Sequence, residues 1–128
     1  MKNKREILSN HNLPEALGPY SQATRDENYI FFSGQLPIDS KTSKPAVTIE
    51  EQVDQILSNI SNALKELDSD LSNVMKVTVF TTSLENLQLI NKVYERYFND
   101  NPPARSAIEV TKLPNDVQVM LDFQVKIY

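Results

Sequence analysis

The sequence contains no cysteine and only one histidine, His11. Disulfide bonds, thiolate catalysis and cysteine-based metal sites are therefore excluded. A zinc site built from several histidines is excluded as well, and a Ser-His-Asp triad would have to use His11. Because His11 lies among residues typical of a loop, we expect it to be solvated.

Glycine is also scarce, since only Gly18 and Gly34 occur. Two glycines cannot build a glycine-rich phosphate-binding loop. Each is expected where the backbone needs a positive φ or where another group approaches closely.

The chain lacks a basic stripe of the kind that nucleic-acid-binding proteins carry. Its formal net charge is -4, and the longest basic cluster, residues 2–5, is interrupted by Asn3. No apolar run approaches membrane-spanning length, and the start has no signal-peptide core. We therefore expect a cytoplasmic protein that binds neither nucleic acid nor membrane. The length of 128 residues fits one domain spanning residues 1–128.

Hydrophobic periodicity predicts two helices. Thr48 and Glu51 form a capping box, and apolar residues then recur at three- and four-residue steps to Leu67. Ser83 is a plausible cap for a second helix that reaches about Phe98. Asn91 lies at the edge of the apolar stripe of this helix, where its amide needs either a structural partner or a ligand.

Six β-prone segments predict the strands. They are residues 5–9, 21–24, 29–33, 74–82, 104–110 and 117–128. Helices placed between strands indicate an α+β fold, with a mixed sheet of about six strands and both helices on one face. In the last strand Met120 is the one apolar residue on an otherwise polar face, so we expect it to pack against a neighbouring subunit or the floor of a pocket.

Arg105 is the first candidate for a functional residue. Two prolines at 102 and 103 end the preceding helix, and the strand that follows holds Arg105 near its start. Alternation places Arg105, Ala107 and Glu109 on one face, pointing away from the more apolar face of residues 104, 106, 108 and 110. A guanidinium fixed in this way is suited to a bidentate grip on a carboxylate. The alternative is a surface ion pair.

Several motifs in a fixed order carry a resemblance that covers the chain from about Leu13 to its end. They are Gly18-Pro19-Tyr20-Ser21-Gln22-Ala23, Ser33-Gly34-Gln35-Leu36-Pro37, Val77-Thr78-Val79-Phe80, Asn91-x-x-Tyr94-x-x-Tyr97-Phe98, and Pro103-Ala104-Arg105-Ser106-x-Ile108-Glu109-Val110 with Leu113-Pro114. With these motifs the chain resembles the Rid family, also called YjgF or UK114, whose well-studied members are enamine/imine deaminases.

The resemblance implies a chorismate-mutase-like (YjgF-like) fold and a homotrimer with three clefts between subunits. It implies a 2-iminobutanoate/2-iminopropanoate deaminase-like hydrolase, which releases a 2-keto acid and ammonia without a metal or organic cofactor. Arg105 matches the arginine that grips the substrate carboxylate.

Other positions of the family's cleft are carried over from the same resemblance. Tyr20, Ser33, Gly34 and Asn91 match residues that line the cleft, with Asn91 reaching it from the same or the adjacent subunit. At the position of Ala107 relatives often have cysteine, but there the backbone N–H makes the contact.

Met120 departs from the family pattern. Deaminases usually have a glutamate there, which is thought to hold the attacking water and pass protons. Methionine can do neither. Asp122 is on the same face two residues along and matches another family acid, so it does not replace the glutamate.

The substitution of Met120 for this glutamate predicts a slow deaminase or, alternatively, a non-catalytic module that binds small 2-keto or amino acids. A third reading, the family's historical ribonuclease label, is disfavoured by the charge and the single histidine.

Overall fold

The computed structural model describes residues 5–128, so residues 1–4 of the predicted domain, with most of the basic cluster, lie outside the described part. The strands are β1 (Glu6–Leu8), β2 (Ala23–Arg25), β3 (Tyr29–Gln35), β4 (Val74–Thr81), β5 (Ala104–Glu109) and β6 (Val119–Lys126), and the helices are α1 (Ile49–Glu66) and α2 (Leu87–Tyr97). Among the described residues no helix is both long and apolar enough to cross a membrane.

The six strands form one mixed sheet in the order β1-β2-β3-β6-β4-β5. All neighbours are antiparallel except β4 and β5, which are parallel. Parallel strands need a crossover connection, and α2 supplies it. This is the predicted α+β fold, with both helices on one face, and it leaves β5 at an edge of the sheet.

Helix α1 confirms the capping box. The Thr48 hydroxyl accepts a hydrogen bond from the Glu51 N–H at 3.1 Å, and the Glu51 carboxylate accepts one from the Thr48 N–H at 3.1 Å. These bonds favour the charged carboxylate and hold the pKa of Glu51 below its usual value. The apolar stripe of α1 is buried from Ile49 to Leu64 against the sheet and α2.

Helix α2 begins four residues later than the predicted cap. Ser83 instead caps a short 3-10 turn, Leu84–Asn86, in which the Leu84 N–H donates to the Glu109 carboxylate at 2.9 Å. The α-helix starts only at Leu87, so the capping residue was identified correctly but the helix type that follows was not.

Strand β6 confirms the predicted alternation. Val119, Leu121, Phe123 and Val125 are buried under the helices, while Met120 and the residues that alternate with them face the other side of the sheet. The latter side, which we call the open face, has no helix over it in residues 5–128. It also carries Phe31, which is 45% exposed. The open face is therefore partly apolar as well as polar.

Candidate functional site

A cavity of about 510 Å³ opens where β3 and β6 meet three loops. We call it the β3–β6 cavity. It contains four of the predicted site residues: Tyr20, Ser33, Gly34 and Met120. The rest of its lining is formed by Pro14, Glu15, Leu17, Gly18, Gln22, Gln35, Leu36, Ile38, Pro114 and Asn115.

Gly34 and Met120 determine the depth of this cavity. The position that a Cβ atom on Gly34 would occupy lies 2.7, 2.9 and 3.2 Å from the Sδ, Cε and Cγ atoms of Met120. Because Gly34 has no side chain, Met120 can lie flat over the strand. This confirms the expected close approach at Gly34, and Met120 lines a pocket, one of the two places predicted for it. A positive φ is found at neither glycine.

Ser33 and Gln35 are held on either side of Gly34. The Ser33 hydroxyl donates to the Ser21 carbonyl at 2.6 Å, and the Gln35 amide donates to the Ser33 carbonyl at 2.9 Å. The register of β3 against β6 shifts between Phe32 and Gln35, which marks a bulge. A bulge of this kind redirects side chains, and here it brings Ser33, Gly34 and Gln35 all to the cavity wall.

The outer wall of the cavity is a loop fixed by one side chain. Gln22 donates from its amide nitrogen to the Pro14 carbonyl at 2.9 Å and accepts from the Asn10 N–H at 2.6 Å. Leu13 is 3% exposed and belongs to the core. The backbone before Glu15 is therefore held in place from both sides.

Tyr20 lies at the mouth of the cavity and is 56% exposed. Its N–H donates to the Gly18 carbonyl at 2.8 Å, and its ring edge is 3.2 Å from the position of a Cβ on Gly18. The small residue at 18 thus leaves room for the ring at this end of the cavity.

Arg105 and Asn91 line a different, more open groove of about 720 Å³. We call it the α2–β5 groove. The Arg105 guanidinium carbon lies 4.8 Å from the centre of the Tyr94 ring, which is a cation–π contact. Arg105 forms no ion pair with any of residues 5–128, so the alternative of a surface ion pair is not what the structure shows. Asn91 is exposed beside it, and Ala107 packs against the core.

The environment of Tyr94 is unusual. Its hydroxyl is buried without a hydrogen-bond partner among the described residues. Burial raises the pKa of Tyr94, and the positive charge of Arg105 acts in the opposite direction. A neutral ring therefore supports the guanidinium, whose N–H groups remain free to bind an anion.

The structure confirms the alternation in β5 and the prediction that Arg105 points away from the face of Ala104, Ser106 and Ile108. These three residues are exposed on the open face, whereas Arg105 and Ala107 are half-buried on the helix side. Tyr94 of α2 covers the Arg105 side.

The predicted site residues consequently form two groups on opposite faces of the sheet. Arg105 pairs with Val77, which is fully buried under the helices, whereas Met120 pairs with Phe80 on the open face. Paired residues share a face, and residues three apart in a strand do not. Strand β4 also separates β5 from β6. One chain therefore cannot bring the Arg105 guanidinium into the β3–β6 cavity.

Four polar residues of the cavity were not identified as site residues from the sequence: Glu15, Gln22, Gln35 and Asn115. Gln22 and Gln35 lie within the recognised motifs, but only the hydrogen bonds described above show that they hold the wall. Glu15 is one acidic residue in a loop of prolines and glycine, and nothing in its spacing places it beside Met120.

Comparison with known proteins shows the family of the chain. The family model described as Endoribonuclease L-PSP matches residues 10–126. A RutC family protein of Buchnera aphidicola (subspecies Schizaphis graminum) is 42% identical over 119 residues, which cover 91% of this chain and 93% of that protein. The chloroplastic Reactive Intermediate Deaminase A of Arabidopsis thaliana is 36% identical over 93% of this chain and 64% of its own length.

A solved structure shares the same fold. The YjgF gene product of Escherichia coli superimposes with a TM-score of 0.90 at 31% identity and covers 96% of this chain and 99% of its own. The two helices packed on a mixed six-stranded sheet are those of this fold. The chain is a member of the Rid family, the YjgF-like proteins matched by the Endoribonuclease L-PSP model.

Proposed function

We propose that this protein is an imine deaminase that hydrolyses small 2-imino acids, such as 2-iminobutanoate and 2-iminopropanoate, to 2-keto acids and ammonia. The proposed setting is the cytoplasm, where pyridoxal-phosphate enzymes acting on serine or threonine release such imines. A relative named Reactive Intermediate Deaminase A supports a deaminase role in general. The substrates and the site residues are our proposal.

The observation that carries the proposal is the state of Arg105. Its guanidinium is half-buried, supported by the Tyr94 ring, and free of any carboxylate partner among residues 5–128. A fixed cation that lacks an internal anion is a ready site for the carboxylate of a small acid. Asn91 lies beside it and can donate a further hydrogen bond to the same ligand.

Hydrolysis of an imine requires little activation by the protein. An imine carbon is already electrophilic, so the site must mainly hold the acid in place and position one water molecule. Arg105 anchors the carboxylate, and the β3–β6 cavity supplies the space in which C2 meets water. Ser33, Gly34 and Tyr20 then shape the wall against which the imine lies.

The proposed site is assembled from two copies of the chain. Since Arg105 and the β3–β6 cavity lie on opposite faces of one sheet, the cavity of one subunit has to meet the groove of the next. The homotrimer implied by the family would supply three such clefts. Exposed apolar side chains on the open face support burial of this surface between subunits: Phe31 is 45% exposed and Ile108 is 46% exposed.

Met120 favours a second candidate, a module that binds a small 2-keto or amino acid without turning it over. A thioether stands where deaminating relatives carry a carboxylate, and it cannot accept a proton from water. The same Arg105 would hold the ligand in either case. If Met120 prevents catalysis, we therefore expect the protein to bind the acid without converting it.

The decisive experiment is a coupled assay. A serine/threonine dehydratase generates 2-aminoacrylate or 2-aminocrotonate in situ, and imine decay is followed with wild type, Arg105→Ala and Met120→Glu. Acceleration by wild type that is lost in Arg105→Ala supports the deaminase. Silence of wild type with activity in Met120→Glu supports the binding module, and calorimetry with short 2-keto acids should then show heats that vanish in Arg105→Ala. If no variant accelerates decay and no acid binds, both proposals are wrong.

A further inference from the structure

The β3–β6 cavity contains one carboxylate, although not at the position of Met120. Glu15 is the sole aspartate or glutamate in its lining, and Tyr20 is the sole other ionisable side chain there. Glu15 and Met120 approach the cavity from different parts of the chain, the wall loop and strand β6 respectively.

Glu15 follows a part of the wall that hydrogen bonding and core packing hold in place. The Gln22 amide holds the Pro14 carbonyl immediately before it at 2.9 Å, and Leu13 is anchored in the core. The fixed φ of Pro14 further restricts this segment. The Glu15 carboxylate therefore stays near the cavity, even though this side chain is exposed to solvent.

Glu15 has no competing role among the described residues. Its carboxylate forms neither an ion pair nor a hydrogen bond with any of residues 5–128. Two other acids differ in this respect. Asp122, on the open face, accepts a hydrogen bond from the Thr78 N–H at 3.2 Å, and Glu109 accepts one from the Leu84 N–H at 2.9 Å. Neither of these two lines the cavity.

We propose that Glu15 is the proton-transferring carboxylate of this site and replaces the glutamate that Met120 has displaced. The inference rests on the proposed deaminase function and names the residue that makes it possible. Met120 then contributes only an apolar surface. The catalytic carboxylate has, on this account, moved from the sheet to the loop that faces it.

The proton path balances with Glu15 alone. Water adds to C2 of the protonated imine, and its proton passes to Glu15, which gives a neutral carbinolamine. Glu15 returns the proton to the amino nitrogen, the C–N bond breaks, and ammonia leaves with the bonding pair. The hydroxyl proton is released as the C=O bond forms, so that iminium and water yield the 2-keto acid and ammonium.

The test compares Glu15→Gln with Glu27→Gln in the coupled imine assay, after subtraction of the rate in buffer. Glu27 is an exposed glutamate in the β2–β3 turn, at the opposite end of β3 from Gly34, and provides the matched control. We expect Glu15→Gln to lower kcat by about 100-fold, which is the lower end of the usual effect of general acid–base catalysis, with KM little changed.

Rescue supplies a second readout. Met120→Glu introduced into Glu15→Gln should restore at least a tenth of the wild-type kcat, because a carboxylate returns to the same cavity. If wild type is active and Glu15→Gln keeps the wild-type kcat, the inference is overturned while the deaminase proposal stands. Inactive wild-type protein would overturn both. Equal melting temperatures of wild type and the three variants establish that the losses are not caused by unfolding.

Discussion

The Sδ atom of Met120 stands 2.7 Å from the place where a Cβ atom on Gly34 would be. That separation is shorter than any comfortable carbon–sulfur contact. The glycine on β3 therefore leaves the space that the methionine on β6 occupies, so a side chain at position 34 would require Met120 to move.

This coupling predicts a non-additive pair of substitutions. Gly34→Ala should destabilise the protein by about 1–3 kcal/mol, because the new methyl group pushes Met120 out of its place. In a Met120→Ala background the same substitution should cost at least about 0.5 kcal/mol less. Urea unfolding of wild type, both single variants and the double variant measures the difference. Costs that simply add would show that the two side chains do not compete for space.

Arg105 should be sensitive even to a conservative replacement. Lysine keeps the charge but loses the planar fork and the stacking on Tyr94, so Arg105→Lys should reduce kcat/KM about 10- to 100-fold, chiefly through KM. Steady-state kinetics with in situ imine measure this. Lys41→Ala, in an exposed turn, is the control and should behave as wild type. An Arg105→Lys variant with wild-type KM would mean that charge alone anchors the substrate.

The division of the site between two copies predicts complementation. Arg105→Ala and Gly34→Val should each be inactive, the first for lack of an anchor and the second because its cavity is blocked. When equal amounts are unfolded together and refolded, about a quarter of the interfaces should join an intact cavity to an intact groove. Activity near a quarter of the wild-type value is the expected result. Mixing without unfolding is the control, and inactive refolded mixtures would place the whole site within one chain.

The hydrogen bond that joins α2 to α1 should affect both tyrosine ionisation and stability at alkaline pH. The Tyr97 hydroxyl donates to the Asp54 carboxylate at 2.5 Å, and burial together with this bond raises the pKa of Tyr97 to about 12. Its contribution to folding is therefore complete below the ordinary value of 10.0 and is lost as the pH rises towards 12. Ultraviolet titration should show a late tyrosine that disappears in Tyr97→Phe. This variant should also lose less stability than wild type between pH 9 and pH 11; equal losses would contradict the assignment.

Much of the fold could be predicted because its signals are local. The capping box at Thr48, the apolar stripe after it and the strict alternation around Phe123 each identify an element from neighbouring residues. The start of α2 was misplaced because a capping serine looks the same before a 3-10 turn and before an α-helix. The carboxylate of Glu109, which fixes that turn, comes from a distant strand.

The candidate site was less predictable, since it depends on contacts across the sheet. Motif resemblance identified Arg105 and Gly34 but could not show that they face opposite sides. That result follows from the pairing of Val77 with Arg105 and from the cover that Tyr94 provides. Glu15 was missed because only the folded wall brings it to the cavity of Met120.

Gln22 gives the wall loop a stability of its own, separate from that of the sheet. A single side-chain amide holds backbone groups of Asn10 and Pro14, while the sheet beside it is held by whole ladders of hydrogen bonds. Opening of the wall should consequently require much less free energy than global unfolding. In hydrogen-exchange terms, the Asn10 amide would exchange through local opening, with a rate that does not follow the stability of β6. The loop that we assign to proton transfer could thus open and close many times during the lifetime of one folded molecule.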